Sequence, residues 1–514
     1  MTADDRRVLG HVLEWYFWLL FTLQEAKLSL KRLRALVFGK PPKKPKDGSS
    51  GPGSGDAGAA AAGGAAAKPD TTQAMAPPRT GHGRQGAEAY VGATPVICRH
   101  TELAVGERCS ACGRGRLYRL APGVELRIDG NALLSAVRYA VEKLRCSACG
   151  QVFPAPLPVE AGAEKYSVRA RAVLAVSRYY LGIPLYRLAG YQAMVGVPVA
   201  DATQWDQIER VADCAYPVFA HLQRLAAQGE VIYQDDTHVR ILSLMAEHRQ
   251  AAADGTATQG RTGMYTTALV AEQGKRTICL YFAGRTHAGE NLTSLLALRD
   301  VGRSKPLIMS DALAANAGEE AALVRCHCLA HGQRKFVELS DVFPAECTVV
   351  LEALTQVFDH EETARMQQMS VAERFAYHQR YSGPIMAALK DWLEQQFQAH
   401  AVEPNSSVGK AFQYLLGHWD TLTRFLTTPG APIENNTAER ALKLAIRQRK
   451  NSLFYANEHS AYVASLLTSL IATCLHAGVN ALDYLVALQE HRVAVFGNPA
   501  AWLPWTYQAT LVPP

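Results

Sequence analysis

The chain lacks any run of apolar residues long enough to cross a bilayer. The most apolar stretch, Val12 to Leu23, is short and carries Glu14. It also lacks the marks of a secretory leader: Asp4 and Asp5 stand where a basic segment belongs, and no small-residue cleavage site follows. A membrane protein is excluded on this reading, and a cytoplasmic location is expected. A strong charge of one sign is missing too. Against 53 Lys and Arg stand 47 Asp and Glu, a net charge of +6, which permits a polyanionic partner without requiring one. In a reducing compartment the 11 cysteines do not read as disulfides, so those at metal-ligand spacing read first as ligands. Large apolar residues are nearly absent from 39–94, a Gly, Ala and Pro stretch that cannot offset its ordering entropy. That segment is expected to be a tether.

What remains is 514 residues with 48% hydrophobic content, enough for several domains. In residues 1–38, Leu9, Val12, Tyr16, Leu19, Leu23, Ala26, Leu30, Leu33 and Val37 recur at steps of three and four. This is either a dimerising coiled coil or an amphipathic helix packed on its own chain. Residues 95–160 hold two near-identical knuckles, Cys109-Ser-Ala-Cys112-Gly and Cys146-Ser-Ala-Cys149-Gly. Four thiolates complete a tetrahedral shell, so one structural Zn²⁺ is expected there. Cys326-His327-Cys328 with His331 has ligand-like spacing as well, but a packed cysteine and a hydrogen-bonded histidine at a helix start is the plainer reading.

Residues 161–228 read as helical. Leu185 to Met194, a glycine turn, and Val199 to Val211 have helix-turn-helix proportions, in which Arg187, Gln204 and Arg210 would reach DNA. A simple helical hairpin is the alternative. From 229 the texture alternates: β-prone runs at Val231-Ile232-Tyr233, Met264 to Ala271, Arg276 to Phe282 and Pro306 to Ser310 suggest a mixed α/β core over 229–340 and 429–490. A helical insertion is expected over 341–428 and a C-terminal segment over 491–514.

Two carboxylates end strands: Asp235 after Val231-Ile232-Tyr233-Gln234, and Asp311 after Leu307-Ile308-Met309-Ser310. A third, Glu439, lies just inside a helix expected to be capped by Asn or Thr. Three converging carboxylates suit two hard divalent cations, which stabilise the attacking and leaving oxygens of a phosphoryl transfer. Asp236 faces the other side of the strand and is the rival for the first position, or a supporting group. Lys443, Arg447, Arg449 and Lys450 follow Glu439, either as a phosphate track or as a solvated face.

These motifs together resemble the insertion-sequence-66 family of DDE transposases. Asp235-Asp236-Thr237, His287-Ala-Gly-Glu-Asn291, Ser310-Asp311-Ala312, Cys328-Leu-Ala-His331, Arg334-Lys335-Phe336, Asn435-Asn436-Thr-Ala-Glu439-Arg440-Ala, Arg449-Lys450-Asn451 and Trp502-Leu503-Pro504-Trp505 follow in the family's order. His238 stands where Pro is usual and Lys443 where Arg is usual; neither change removes a carboxylate. The resemblance implies an RNase H-like core in which Asp235, Asp311 and Glu439 hold two Mg²⁺, with Mn²⁺ an alternative. It also implies cleavage of element ends, joining to target DNA, and recognition of terminal repeats by the zinc and helix-turn-helix regions. A homodimer or higher oligomer, accessory proteins of the same element and association with the nucleoid are further expectations. A nuclease that cuts without joining, and a silent DNA-binding regulator, are the rival readings.

Overall fold

A computed structural model of the chain describes residues 104–108, 114, 116–117, 132–145, 152–254, 263–313 and 323–511. The heptad helix, the tether and all four knuckle cysteines lie outside the described residues. By internal packing the chain divides into two units, 1–126 and 127–514. In the first, Arg108 and Arg116 form an isolated antiparallel bridge beyond a turn with Gly106 at φ 94°. The second unit carries everything else below, and it opens with a short antiparallel pair, β1 (Lys143–Arg145) and β2 (Val152–Pro154).

Three helices follow: α1 (Val168–Tyr179), α2 (Leu185–Met194) and α3 (Asp201–Ala226). The helical pair expected at 185–211 is present, but its second member runs on to Ala226. Ile208, Val211, Ala215, Phe219 and Leu222 bury an apolar stripe at helical spacing along that length. The mixed core then begins with β3 (Val231–His238) and α4 (Leu242–Ala253), continues through β4 (Tyr265–Gln273), β5 (Arg276–Gly284) and α5 (Ala288–Leu296), and reaches β6 (Leu307–Ser310) and β7 (Val324–His327). The strands form one sheet in the order β5-β4-β3-β6-β7. The first three are an antiparallel meander, whereas β6 and β7 run parallel to β3. The sequence reading missed β7, since Val-Arg-Cys-His is short and does not alternate.

α6 (Leu329–Leu339) follows β7, and the stretch expected as a helical insertion holds α7 (Pro344–Met366), α8 (Val371–Gln398), α9 (Ser407–Gly417) and α10 (Trp419–Leu422). After it come α11 (Asn436–Ser452), α12 (Glu458–His476), α13 (Ala481–Glu490), α14 (Arg492–Gly497) and α15 (Tyr507–Leu511). Each strand sends alternate side chains to opposite faces, and the sheet thereby feeds two cores. Ile232, Leu269, Ile278, Leu280 and Ile308 join Leu174, Phe219, Leu467 and Tyr484 in one. Tyr233, Val270, Tyr281 and Met309 join Phe336, Leu354, Phe412 and Leu442 in the other. Burying a side chain of this size contributes about 1.5–3 kcal/mol.

The exposed edge of β5 is closed by a helix rather than a strand. Ser465, Ser469 and Thr473 lie four apart on α12, and their hydroxyls accept from the backbone N–H groups of Ala283, Tyr281 and Cys279 at 3.0, 2.8 and 3.1 Å. An unpaired edge is a template for aggregation; here one hydroxyl row satisfies every second N–H. Among the described residues, no helix is long and apolar enough to cross a membrane.

Candidate active site

Parallel pairing sets Val231 beside Leu307 and Tyr233 beside Met309. Carried on by one pleat, the same register sets Asp235, in the second half of β3, beside Asp311, which directly follows the last residue of β6. Both share the face of Tyr233 and Met309, which the insertion and α11 cover. Open α/β sheets form sites at C-terminal strand ends such as that of β6.

Glu439 reaches this place through Asn435. That residue occupies the N-cap position of α11, but its side chain makes no capping bond, contrary to the expectation from sequence. Instead its Nδ2 donates to the Gln234 carbonyl at 2.9 Å, and its backbone N–H points at Cys328 Sγ at 3.2 Å. The start of α11 is thus clamped to the residue before Asp235. Leu329 N donates to Ile433 O and Cys328 N to Ser310 O, each at 2.9 Å, tying the same loop to β6 and α6. Tyr281 adds a further tie, its hydroxyl donating to Ala441 O at 2.8 Å.

The electrostatics follow from that gathering. Burial, reinforced by the charges of Asp311, Glu439 and Asp236, raises the Asp235 carboxyl to about 7, even though the Asp236 N–H bond lowers it. Asp236, one residue on, has the opposite surroundings. Thr267 Oγ1 and Ala288 N donate to its two oxygens at 2.5 and 2.8 Å, and His287 Nδ1 lies at 3.3 Å. Ala288 begins α5, so this carboxylate sits at a helix N-terminus. The Asn291 side chain donates in turn to Thr267 at 2.8 Å. Asp236 is thus engaged by donors on the far face.

The insertion also lines the site. Tyr414 on α9 lies near enough to Asp311 and Cys328 for burial, then those two groups, to push its phenol up to about 12. Burial, with His418 and Arg325, brings His327 down to about 4, so it is neutral at physiological pH, and Thr421 Oγ1 meets its Nδ1 at 2.8 Å. Next to Ser310 and Ala312 opens a cavity of about 700 Å³ walled by Arg325, Lys390 and Arg424. Glu361 of α7 joins Arg374 and His378 of α8 at 2.8 Å each, and Arg374 also donates to Ala431 O at 3.0 Å. This network holds the segment leading into Glu439. None of these insertion residues carried a local sequence signal.

The other expected residues divide. Lys443, Arg447 and Lys450 are exposed at positions four and three apart, on one side of α11. Arg449 turns inward, donating to Thr237 Oγ1 at 2.7 Å and His238 O at 2.9 Å, where it pins the end of β3. Arg187 is exposed and lies over the Tyr186 ring. Arg210 is paired with Glu164 at 3.1 Å. Gln204 corrects the expectation: it is buried, and its amide donates to the Leu185 and Val199 carbonyls at 3.2 and 2.9 Å, locking α2 against α3. A side chain so enclosed does not read bases.

The fold and site define a mixed α/β protein, mostly helical, whose five-stranded sheet brings acidic side chains together on the adjacent strands β3 and β6. Comparison with known proteins narrows the class. The family described as Transposase IS66 family matches residues 164–462, more than half of the chain, and this chain belongs to it. Among curated proteins of Sinorhizobium fredii (strain NBRC 101917 / NGR234), uncharacterized protein y4jD is 25% identical over 456 residues, covering 84% of each chain. Uncharacterized protein y4hP is 23% identical over 419 residues, covering 78% of this chain and 73% of its own. Uncharacterized protein y4qI is 26% identical over 358 residues, covering 66% and 62%.

Proposed function

We propose that this protein is the transposase of an insertion sequence, cleaving the element's ends and joining them to target DNA. The observation that carries the reading is the convergence of Asp235 on β3 with Asp311 after β6 and Glu439 on α11, close enough that their charges add to burial in raising the Asp235 carboxyl. Acids crowded at a strand end repel one another unless cations neutralise them, so the donor set fits hard divalent ions. Asp235, Asp311 and Glu439 would hold two Mg²⁺, or Mn²⁺, which stabilise the entering and leaving oxygens of phosphoryl transfer.

The chain's own residues give this chemistry its geometry. Asn435 fixes Glu439 to β3, Arg449 fixes the strand end, and the insertion closes the face that the three carboxylates share. The strand order, an antiparallel meander continued by two parallel strands, supports the RNase H-like reading. Lys443, Arg447 and Lys450 on α11, and Lys390 and Arg424 in the cavity next to Ser310 and Ala312, offer positive charge for a phosphate backbone. Arg187 and Arg210 belong to the helical pair proposed to read terminal repeats. Cys109, Cys112, Cys146 and Cys149 are proposed to hold one Zn²⁺ that folds the preceding region, and the heptad helix to dimerise the chain.

The test is purified full-length protein with element ends, a target plasmid and Mg²⁺. Nicked ends and joined products are expected. Cleavage without joining from pre-cleaved ends would leave a nuclease, DNA binding with neither nicked nor joined products would leave a regulator, and unchanged activity in Asp235→Asn would remove Asp235 from the chemistry.

A further inference from the structure

Cys328, His331 and Glu439 each offer a ligand atom, and the three atoms lie within 4.8 Å of one another. Cys328 precedes α6 and His331 lies in its first turn, so a spacing of three puts both on one side. Glu439 comes from α11. A histidine retained only for packing keeps its ring nitrogens hydrogen-bonded, as the sequence reading expected of this one. His331 does not. Its Nδ1 is buried without a partner, and its Nε2 stops 3.8 Å from Glu439 Oε1, too far for a hydrogen bond. The backbone N–H of Asn435 points at the Cys328 sulfur at 3.2 Å.

We propose that Cys328, His331 and Glu439 bind one borderline transition ion of the Zn²⁺ class, and that this ion competes with the magnesium centre for Glu439. The donor set selects the metal. Sulfur and imidazole suit Zn²⁺ and its neighbours, whereas Mg²⁺ takes oxygen alone and finds one usable ligand here. Three protein ligands leave a position open for water, unlike the saturated four-thiolate shell expected upstream. Binding itself needs only these residues. The inhibition rests on the proposed role of Glu439 in catalysis.

Two measurements on full-length protein separate those layers. In the first, Zn²⁺ is titrated into end cleavage at saturating Mg²⁺. Inhibition of the unaltered protein is expected at Zn²⁺ concentrations about tenfold or more below those needed for Cys328→Ser and His331→Ala. Equal inhibition of all three would place the competing ion on the carboxylates alone and overturn the proposal. In the second, Co²⁺ is added to protein already loaded with one equivalent of Zn²⁺. A thiolate-to-cobalt absorption band present in the unaltered protein and absent from Cys328→Ser is expected; the same band in both would overturn the site. His331→Ala weakens the band and serves if the serine variant fails to fold. Should the protein lack cleavage activity altogether, the proposed function fails, while the cobalt spectra still decide the site.

Discussion

Asp235 and Asp236 are neighbours on one strand, identical in chemistry and opposite in circumstance. Asp236 is met by a hydroxyl, a helix-terminal amide and an imidazole nitrogen. Asp235 is met by three further carboxylates and one amide. A buried acid surrounded by donors is part of the scaffold. One surrounded by acids makes sense when something positive is to arrive, because its isolated state costs stability. The side of the strand that a residue faces, a matter of parity alone, decides which of the two it becomes.

The largest effect expected from this contrast is on catalysis. Asp235→Asn, Asp311→Asn or Glu439→Gln should each lower end cleavage by roughly a thousandfold or more, the scale of losing several kcal/mol of charge stabilisation. Circular dichroism and melting of the same variants should show them folded. Residual activity within a few fold of the unaltered protein would end the equivalence of the three.

On the other face the effect moves from activity to stability. Asp236→Ala leaves the buried Ala288 amide and Thr267 hydroxyl without their acceptor, a cost of about 1–3 kcal/mol for each group left unmade. Urea unfolding should find a lower midpoint, with an m-value unchanged. Cleavage at a temperature where the variant stays folded should fall far less than in Asp235→Asn. If the two variants lost activity alike, both carboxylates would belong to the chemistry.

Metal binding sharpens the same comparison through a smaller signal. With its acid group held near 7, Asp235 contributes stability to the metal-free protein below its ordinary pKa of 3.8, and that contribution is lost as pH rises from there toward about 7. At pH 8 a divalent ion should restore it. Mg²⁺ at a hundred times its dissociation constant should add about 2.7 kcal/mol of apparent stability. The same titration should leave Asp235→Asn nearly unmoved and Asp236→Asn as responsive as the unaltered chain. A Mg²⁺ response of equal size in Asp235→Asn would place the ion elsewhere.

Much of this arrangement was legible in the linear order of residues, for a physical reason. An apolar run that meets an acid announces the face its side chain takes, so the facing of Asp235 and Asp311 could be read locally, although β3 runs on past Asp235 to His238 rather than ending there. The opposed facing of Asp236 followed from pleat parity. What could not be read were long-range hydrogen bonds. Asn435 looks like a cap in sequence, and only the proximity of Gln234, some two hundred positions earlier, turns its amide toward β3. Gln204 looks like a polar residue on a recognition helix, but it satisfies the carbonyls of its own hairpin. Ser465, Ser469 and Thr473 read as polar interruptions in a helix until β5 is laid beside them. In each case the polar side chain answers a backbone group that the sequence does not place. The four knuckle cysteines and the heptad helix lie outside the described residues, so their reading still rests on spacing.

The smallest expected effect separates two basic residues of α11. Lys443 is exposed on the helix, whereas Arg449 is engaged with Thr237 and His238. If Lys443 neutralises a phosphate, Lys443→Ala should weaken DNA binding evenly across sequences and reduce the slope of log affinity against log salt by about 1, with melting unchanged. Arg449→Ala should instead lower the melting temperature modestly, because the half-buried Thr237 hydroxyl and the His238 carbonyl lose the donor that pins the strand end. A Lys443→Ala variant with an unaltered salt slope would make that face of α11 a solvated surface. The phosphate track would then have to run through Lys390 and Arg424 in the cavity next to Ser310 and Ala312.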